Sequence, residues 1–258
     1  MDQLEMLRED LSQCDEILLN TLLMRNRVVE QIMAYKEVNN LPILQPQREE
    51  MLEKWLEQSI EGKRHQKEIK EVYDTILRCS KKIQARKVFD YNIVLIGFMG
   101  AGKSTVSNFL STIFAMEIVE MDEIIVAREN MSISDIFEIR GEEYFRNAET
   151  DLLIEMQSKK NVVISCGGGV PLRERNVAEM KKNGKVVLLT AKPETVLERV
   201  KDEHVRPIIE NNKNVEFIAE LMAKRREKYE TAADIIIETD GKTTLDICNE
   251  LVDNLMKN

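Results

Sequence analysis

The sequence predicts an α + α/β chain: an all-α domain of three helices over residues 1–88, joined to a three-layer α/β domain with a parallel sheet over residues 91–258. Three observations predict it. Only Gly62 of the ten glycines precedes residue 90. Before that point apolar residues recur at the 3,4 spacing of a helix face, whereas after it short apolar runs alternate with helical stretches. A length of 258 residues accommodates two modest domains at about 100 to 200 residues each.

Leu4, Leu7, Leu11, Cys14, Leu18, Thr21, Arg25, Val28, Ile32 and Tyr35 draw one stripe along a first long helix, which Asn39, Asn40 and Pro42 end. Pro46 suits the first turn of a second helix that stops near Gly62, and a third runs from about Gln66 to Arg86. Two shorter helices cannot cover so long a stripe, so an intertwined homodimer through this domain is expected. A link around Val88 to Asp90 leads into NIVLIG, the first of four buried-strand candidates, with VVISC, KVVLLT and DIIIE following. A further short strand precedes Glu120.

Hydrophobic residues make up 43% of the chain and charged residues 32%, the balance of a folded soluble protein. No apolar run approaches the roughly 18 residues that cross a bilayer, and MDQLEMLRED lacks a signal-peptide core, so a cytoplasmic location without membrane partners is expected. A net charge of −9 with no basic block argues against nucleic acid as a partner. Cys14, Cys79, Cys166 and Cys248 are widely spaced and read as reduced thiols. His65 and His204 belong to no metal-spaced cluster, and Trp55 and the methionines read as packing.

Residues 97–104, Gly-Phe-Met-Gly-Ala-Gly-Lys-Ser, match GxxxxGK[ST] between a predicted strand and a predicted helix, which makes the segment a P-loop. Backbone amides at Gly100, Ala101, Gly102, Lys103, Ser104 and Thr105 are placed to cradle ATP phosphates at a helix N-terminus. Lys103 can neutralise the β and γ phosphates, and Ser104 can ligate Mg²⁺. The loop fixes the nucleotide and leaves the acceptor open. Glu120-Met121-Asp122, GEEYFRNAE with Arg146, Gly167-Gly168-Gly169, Val205-Arg206-Pro207 and LMAKR with Arg225 then converge at strand carboxyl ends. They offer a carboxylate for a hydroxyl and arginines for an anionic acceptor.

Over residues 92–256, the segments GFMGAGKST, MD, GEEYFR, GGG, VRP and LMAKR together resemble the shikimate kinase family. The resemblance implies that Asp122 binds the shikimate hydroxyls and assists deprotonation of the attacking one. It also implies that Arg146 and Arg225 hold the carboxylate, that the backbone of Gly167, Gly168 and Gly169 lines the substrate, and that Arg206 belongs to a lid over the phosphates. Arg199 matches the family's adenine-side arginine. Glu120 stands where the family usually carries Asp beside Mg²⁺.

In the helical part Arg25 lies on the apolar stripe, where an unpaired buried guanidinium would be costly, so it requires an anion. Lys36 lies three turns further on the same face, and the two can grip one small dianion. Arg8 is about 42 Å from Lys36 along the helix and can serve only a partner's site in an antiparallel dimer. Arg48 and Glu49 open the second helix, and Ser80 and Gln84 share a face of the third. In the order LRxxL, MRN, YK, P-x5-RE and S-x3-Q, residues 1–87 resemble the all-helical chorismate mutase family. By that resemblance Arg25, Arg48 and the other subunit's Arg8 grip the carboxylates of chorismate. Lys36 and Gln84 donate to its ether oxygen, Glu49 accepts from the ring hydroxyl, and Ser80 assists binding; Gln45 stands where several relatives have Asp.

The implied protein is a bifunctional enzyme of aromatic amino acid biosynthesis that phosphorylates shikimate with Mg²⁺ and ATP and rearranges chorismate to prephenate without a cofactor. One alternative keeps the kinase and makes the helical part a non-catalytic dimerisation or regulatory module. A second makes the P-loop half a nucleoside-monophosphate or sugar-acid kinase.

Overall fold

The computed structural model describes residues 2–39, 41–201 and 214–257, which form two compact units, Met1–Val88 and Phe89–Asn258. The first unit is three helices: α1 (Gln3–Val38), α2 (Pro46–Ile60) and α3 (Gln66–Val88). With neither proline nor glycine to interrupt it, α1 runs unbroken for 36 residues, about 54 Å. Its C-terminal half packs on α3, burying Val29 and Met33 together with Ile43, Leu44, Leu56 and Ala85. Most of the predicted stripe lies beside that buried face. Leu7 and Leu11 are 57% and 62% exposed, so α2 and α3 do not cover them.

The second unit has strands β1 (Asn92–Gly97), β2 (Glu117–Glu120), β3 (Val162–Ser165), β4 (Gly184–Thr190) and β5 (Ile235–Glu238), all parallel in the order β2-β3-β1-β4-β5. Between them lie α4 (Lys103–Phe114), α5 (Met121–Glu129), α6 (Ile133–Arg140), α7 (Glu142–Met156), a 3-10 turn (Val170–Leu172), α8 (Glu174–Lys182), α9 (Pro193–Val200) and α10 (Val215–Ala232). Helix α11 (Thr244–Lys257) follows β5. Every residue of central β1 is buried because helices cover both sheet faces, which is why Ile93 to Ile96 form a continuous apolar run. DIIIE departs from the expectation of a fully buried strand. As an edge strand, β5 turns Ile236 and Glu238 outward and only Ile235 and Ile237 inward.

The strand order places the chemistry. From β1 the chain crosses to β2 on one side, and from β3 it crosses back over β1 to β4 on the other. The carboxyl ends of the neighbours β1 and β3 therefore open a crevice at a topological switch point, where α/β sheets bind ligands.

Candidate active site

The loop leaving β1 enters α4 through Gly102, whose φ of +97° is a conformation glycine adopts freely. Lys103, nearly buried, donates to Gly97 O at 3.0 Å and Phe98 O at 3.2 Å. Gly100, Gly102, Lys103, Ser104 and Thr105 line a cavity of about 260 Å³ with Glu120, Asp122, Gly167 and Arg199. Ala101 is fully buried, and its amide donates to Phe98 O at 3.1 Å within the loop. Arg199 reaches back from α9 to Gly100 O at 2.9 Å and Thr239 Oγ1 at 3.1 Å, tying the loop to the end of β5.

Glu120 is the last residue of β2, opposite Ser165 of β3, and accepts a hydrogen bond from Ser107 Oγ at 2.8 Å. Asp122 lies in the first turn of α5, two residues on.

The three glycines after β3 bring the remaining groups together. A Cβ at Gly167 would strike Asp122 Oδ1 and lie 3.1 Å from Glu149 Oε1. One at Gly168 would touch Tyr229 Oη and Arg225 Nη1, and one at Gly169 would overlap the Arg146 guanidinium. Three consecutive backbone positions thus face a carboxylate and two arginines contributed by α5, α10 and α7. Arg225 also stands over the Phe98 ring at 5.7 Å, and Tyr229, one turn later, donates to Gly168 O at 2.6 Å.

Arg146 is held by Glu149 at 2.9 Å and Glu142 at 2.8 Å. Glu149 is fully buried; desolvation pushes its carboxyl up to about 7 despite the opposing Arg146 charge. Burial likewise raises the Cys166 thiol, so this cysteine remains protonated beside the cavity. Arg206 lies outside the described residues, as do His204 and Pro207.

The helical unit assembles a second polar cluster. Arg25 Nη1 donates to Ser80 Oγ, and the 5% exposed Ser80 donates to Ile76 O at 2.9 Å. Glu49 of α2 pairs with Lys81 of α3 at 2.6 Å, so adjacent residues of α3 connect α1 to α2. Lys36, whose ammonium burial shifts below its ordinary range, donates to Ile43 O at 3.0 Å. Gln84 is half-buried one turn beyond Ser80, while Arg48 is exposed at the start of α2. Arg8 is exposed and 17 residues from Arg25, about 25 Å along α1. It does not join this chain's cluster.

Tyr229, Ser107, Lys81 and the burial of Glu149 extend the sets expected from sequence. Two had local signals: Tyr229 is four residues after Arg225, and Ser107 is a polar residue on the apolar side of α4.

The sequence profile of the shikimate kinase family matches residues 99–256. The chain belongs to that family. The shikimate kinase of Dehalococcoides mccartyi strain BAV1 is 40% identical over 166 residues, which cover 64% of this chain and 94% of the relative. That of Persephonella marina is 41% identical over 161 residues, covering 62% and 96%. The structure of Acinetobacter baumannii shikimate kinase in complex with shikimate superposes with a TM-score of 0.61 and 32% identity, covering 65% of this chain and 94% of that one. The chorismate mutase type II profile matches residues 7–85. A shikimate kinase domain, with ATP-dependent phosphorylation as its family chemistry, and a chorismate mutase domain are therefore joined in a bifunctional enzyme of aromatic biosynthesis.

Proposed function

We propose that the switch-point crevice transfers the γ-phosphoryl group of ATP to the 3-hydroxyl of shikimate, and that the helical unit converts chorismate to prephenate as a homodimer, both in the cytoplasm. The observation that carries the kinase assignment is the packing of Gly167, Gly168 and Gly169 against Asp122, Arg225 and Arg146, beside the P-loop. In this reading the amides of Gly100 and of Gly102 to Thr105 and the Lys103 ammonium hold the nucleotide phosphates, Ala101 shapes the loop through its bond to Phe98 O, and Arg199 borders the adenine. Asp122 accepts the hydroxyl proton, Arg146 and Arg225 clamp the carboxylate, and Arg206 closes over the phosphates. Phosphoryl transfer demands alignment and neutralisation of spreading charge, and these residue types supply both.

Ser104 and Glu120 fit Mg²⁺. Both line the cavity with Lys103 and carry side-chain oxygen, and Mg²⁺ is characteristically held by one or two protein oxygens together with substrate phosphates. Bound there, the ion would supply positive charge to neutralise the phosphates. Screening acceptors with Mg²⁺-ATP tests the assignment: selective turnover of shikimate is expected, and preference for a nucleoside monophosphate or a sugar acid would overturn it.

For the mutase, Arg25, Arg48 and Arg8 from a second copy hold the two carboxylates, Lys36 and Gln84 stabilise the ether oxygen, Glu49 receives the ring hydroxyl, and Ser80 orients Arg25. The rearrangement is intramolecular, so it requires confinement of the compact conformer and preorganised donors rather than a nucleophile or metal. The exposed stripe of α1 supports the dimer, because it leaves a long apolar surface for a second copy. A neutral amide at Gln84 needs no proton to donate, so the mutase rate should hold between pH 6 and 8. A rate that vanished across that interval would contradict the role given to Gln84.

A further inference from the structure

Ser107 has no exposed surface, and its position on α4 is one turn after Ser104. Its hydroxyl has two acceptors within reach, Glu120 Oε1 at 2.8 Å and Ser104 O at 3.1 Å, and a single proton serves one at a time. The shorter contact joins α4 to the end of β2 through a carboxylate that lines the same cavity as Lys103 and Ser104. A glutamate carries its carboxylate on three torsions, so an untethered Glu120 would lose rotamer freedom each time it fixed a cation. The Ser107 bond removes much of that freedom beforehand, engaging Oε1 with the protein and leaving Oε2 for a hydrated ion.

We infer that Ser107 is a positioning residue for the divalent cation: through its hydrogen bond it holds Glu120 in register with Ser104, so that one hydroxyl and one carboxylate form a preorganised pair. The inference rests on the reading of Ser104 and Glu120 as the Mg²⁺ site. A merely structural tie between α4 and β2 would affect stability but leave cation affinity unchanged, and this contrast defines the test.

The intact 258-residue chain is titrated with Mn²⁺ in the presence of ADP, and free Mn²⁺ is followed by electron paramagnetic resonance, a measurement that needs no turnover. Ser107→Ala should weaken Mn²⁺ in the ADP complex about tenfold, the scale seen when a partner behind a metal ligand is removed, with metal-free ADP affinity unchanged. Ser107→Gly, which removes the same hydroxyl with different packing, should reproduce the loss. In a Glu120→Asp background the shortened side chain should no longer use the hydroxyl, so adding Ser107→Ala should have no further effect. Wild-type Mn²⁺ affinity in both Ser107 variants, or full additivity with Glu120→Asp, would overturn the role of Ser107 alone. Wild-type protein holding Mn²⁺ no tighter than free ADP does would instead overturn the metal site beneath it.

Discussion

The two units solve the problem of building an anion site in opposite ways. In the P-loop unit a five-stranded sheet with helices on both faces supplies enough interior to bury Glu149 completely and bring Arg146 and Arg225 against one glycine run, all from a single chain. In the helical unit Arg25 meets Ser80 and Glu49 meets Lys81, yet the stripe carrying Leu7 and Leu11 remains open and Arg8 stands far along α1. A layered α/β domain can complete a crevice by itself, whereas three helices leave a long apolar face that only further protein can cover.

The sharpest break between the units is Lys103→Ala. Shikimate phosphorylation should fall on the order of 10³-fold, as when a preorganised charge is removed from a transition state, while chorismate turnover on the same sample stays at its wild-type rate. Loss of both activities would sink the independence of the two sites. The reciprocal change, Lys36→Ala, should lower the mutase rate on the order of 10²-fold and spare the kinase. Substituting Leu11→Glu tests the open face directly. A charge on the stripe should shift sedimentation from two chains to one and reduce mutase activity at low protein concentration, with kinase activity retained; an unchanged sedimentation coefficient would show that this face is not the interface.

A smaller effect concerns stability. Folding raises the Glu149 carboxyl from 4.5 to about 7, so between these values the folded protein keeps a proton that the unfolded chain has released. This contribution is fully present below pH 4.5 and is lost as pH rises through about 7, a decline on the order of 3 kcal/mol. Glu149→Gln removes the titration, and urea unfolding across pH 5 to 8 should show a shallower fall than in the wild type. Parallel profiles for the two proteins would refute it.

Local chemistry made much of this legible. The P-loop is encoded by spacing and by the apolar run Ile93–Ile96 before it, and the breaks at Pro42 and Gly62 mark helix ends through backbone constraints that act within a few residues. Less could be read wherever long-range packing decides. DIIIE looks buried, but its place at the sheet edge leaves Ile236 half exposed. The stripe on α1 is apolar in sequence, yet the face α3 covers is the adjacent one containing Val29 and Met33. Nothing in the spacing of GEEYFRNAE reveals that Glu149 is dry enough to titrate near neutrality, because that follows from its burial in the folded unit, where Gly167, 18 residues on, lies against it.

Phe89 has a practical bearing on dissecting the polypeptide. Only Phe89, Asp90 and Tyr91 separate the last helical residue, Val88, from Asn92 of β1. They are not slack tether: Phe89 is 0% exposed with its ring edge-on to Phe114 at 5.3 Å, and Tyr91 Oη donates to Leu255 O at 3.1 Å. A scissile point chosen at residue 91 would take a phenyl ring out of the kinase interior, a truncation comparable to Phe→Ala at about 3 to 5 kcal/mol. Expression of the catalytic halves as separate polypeptides therefore has its seam immediately after Val88.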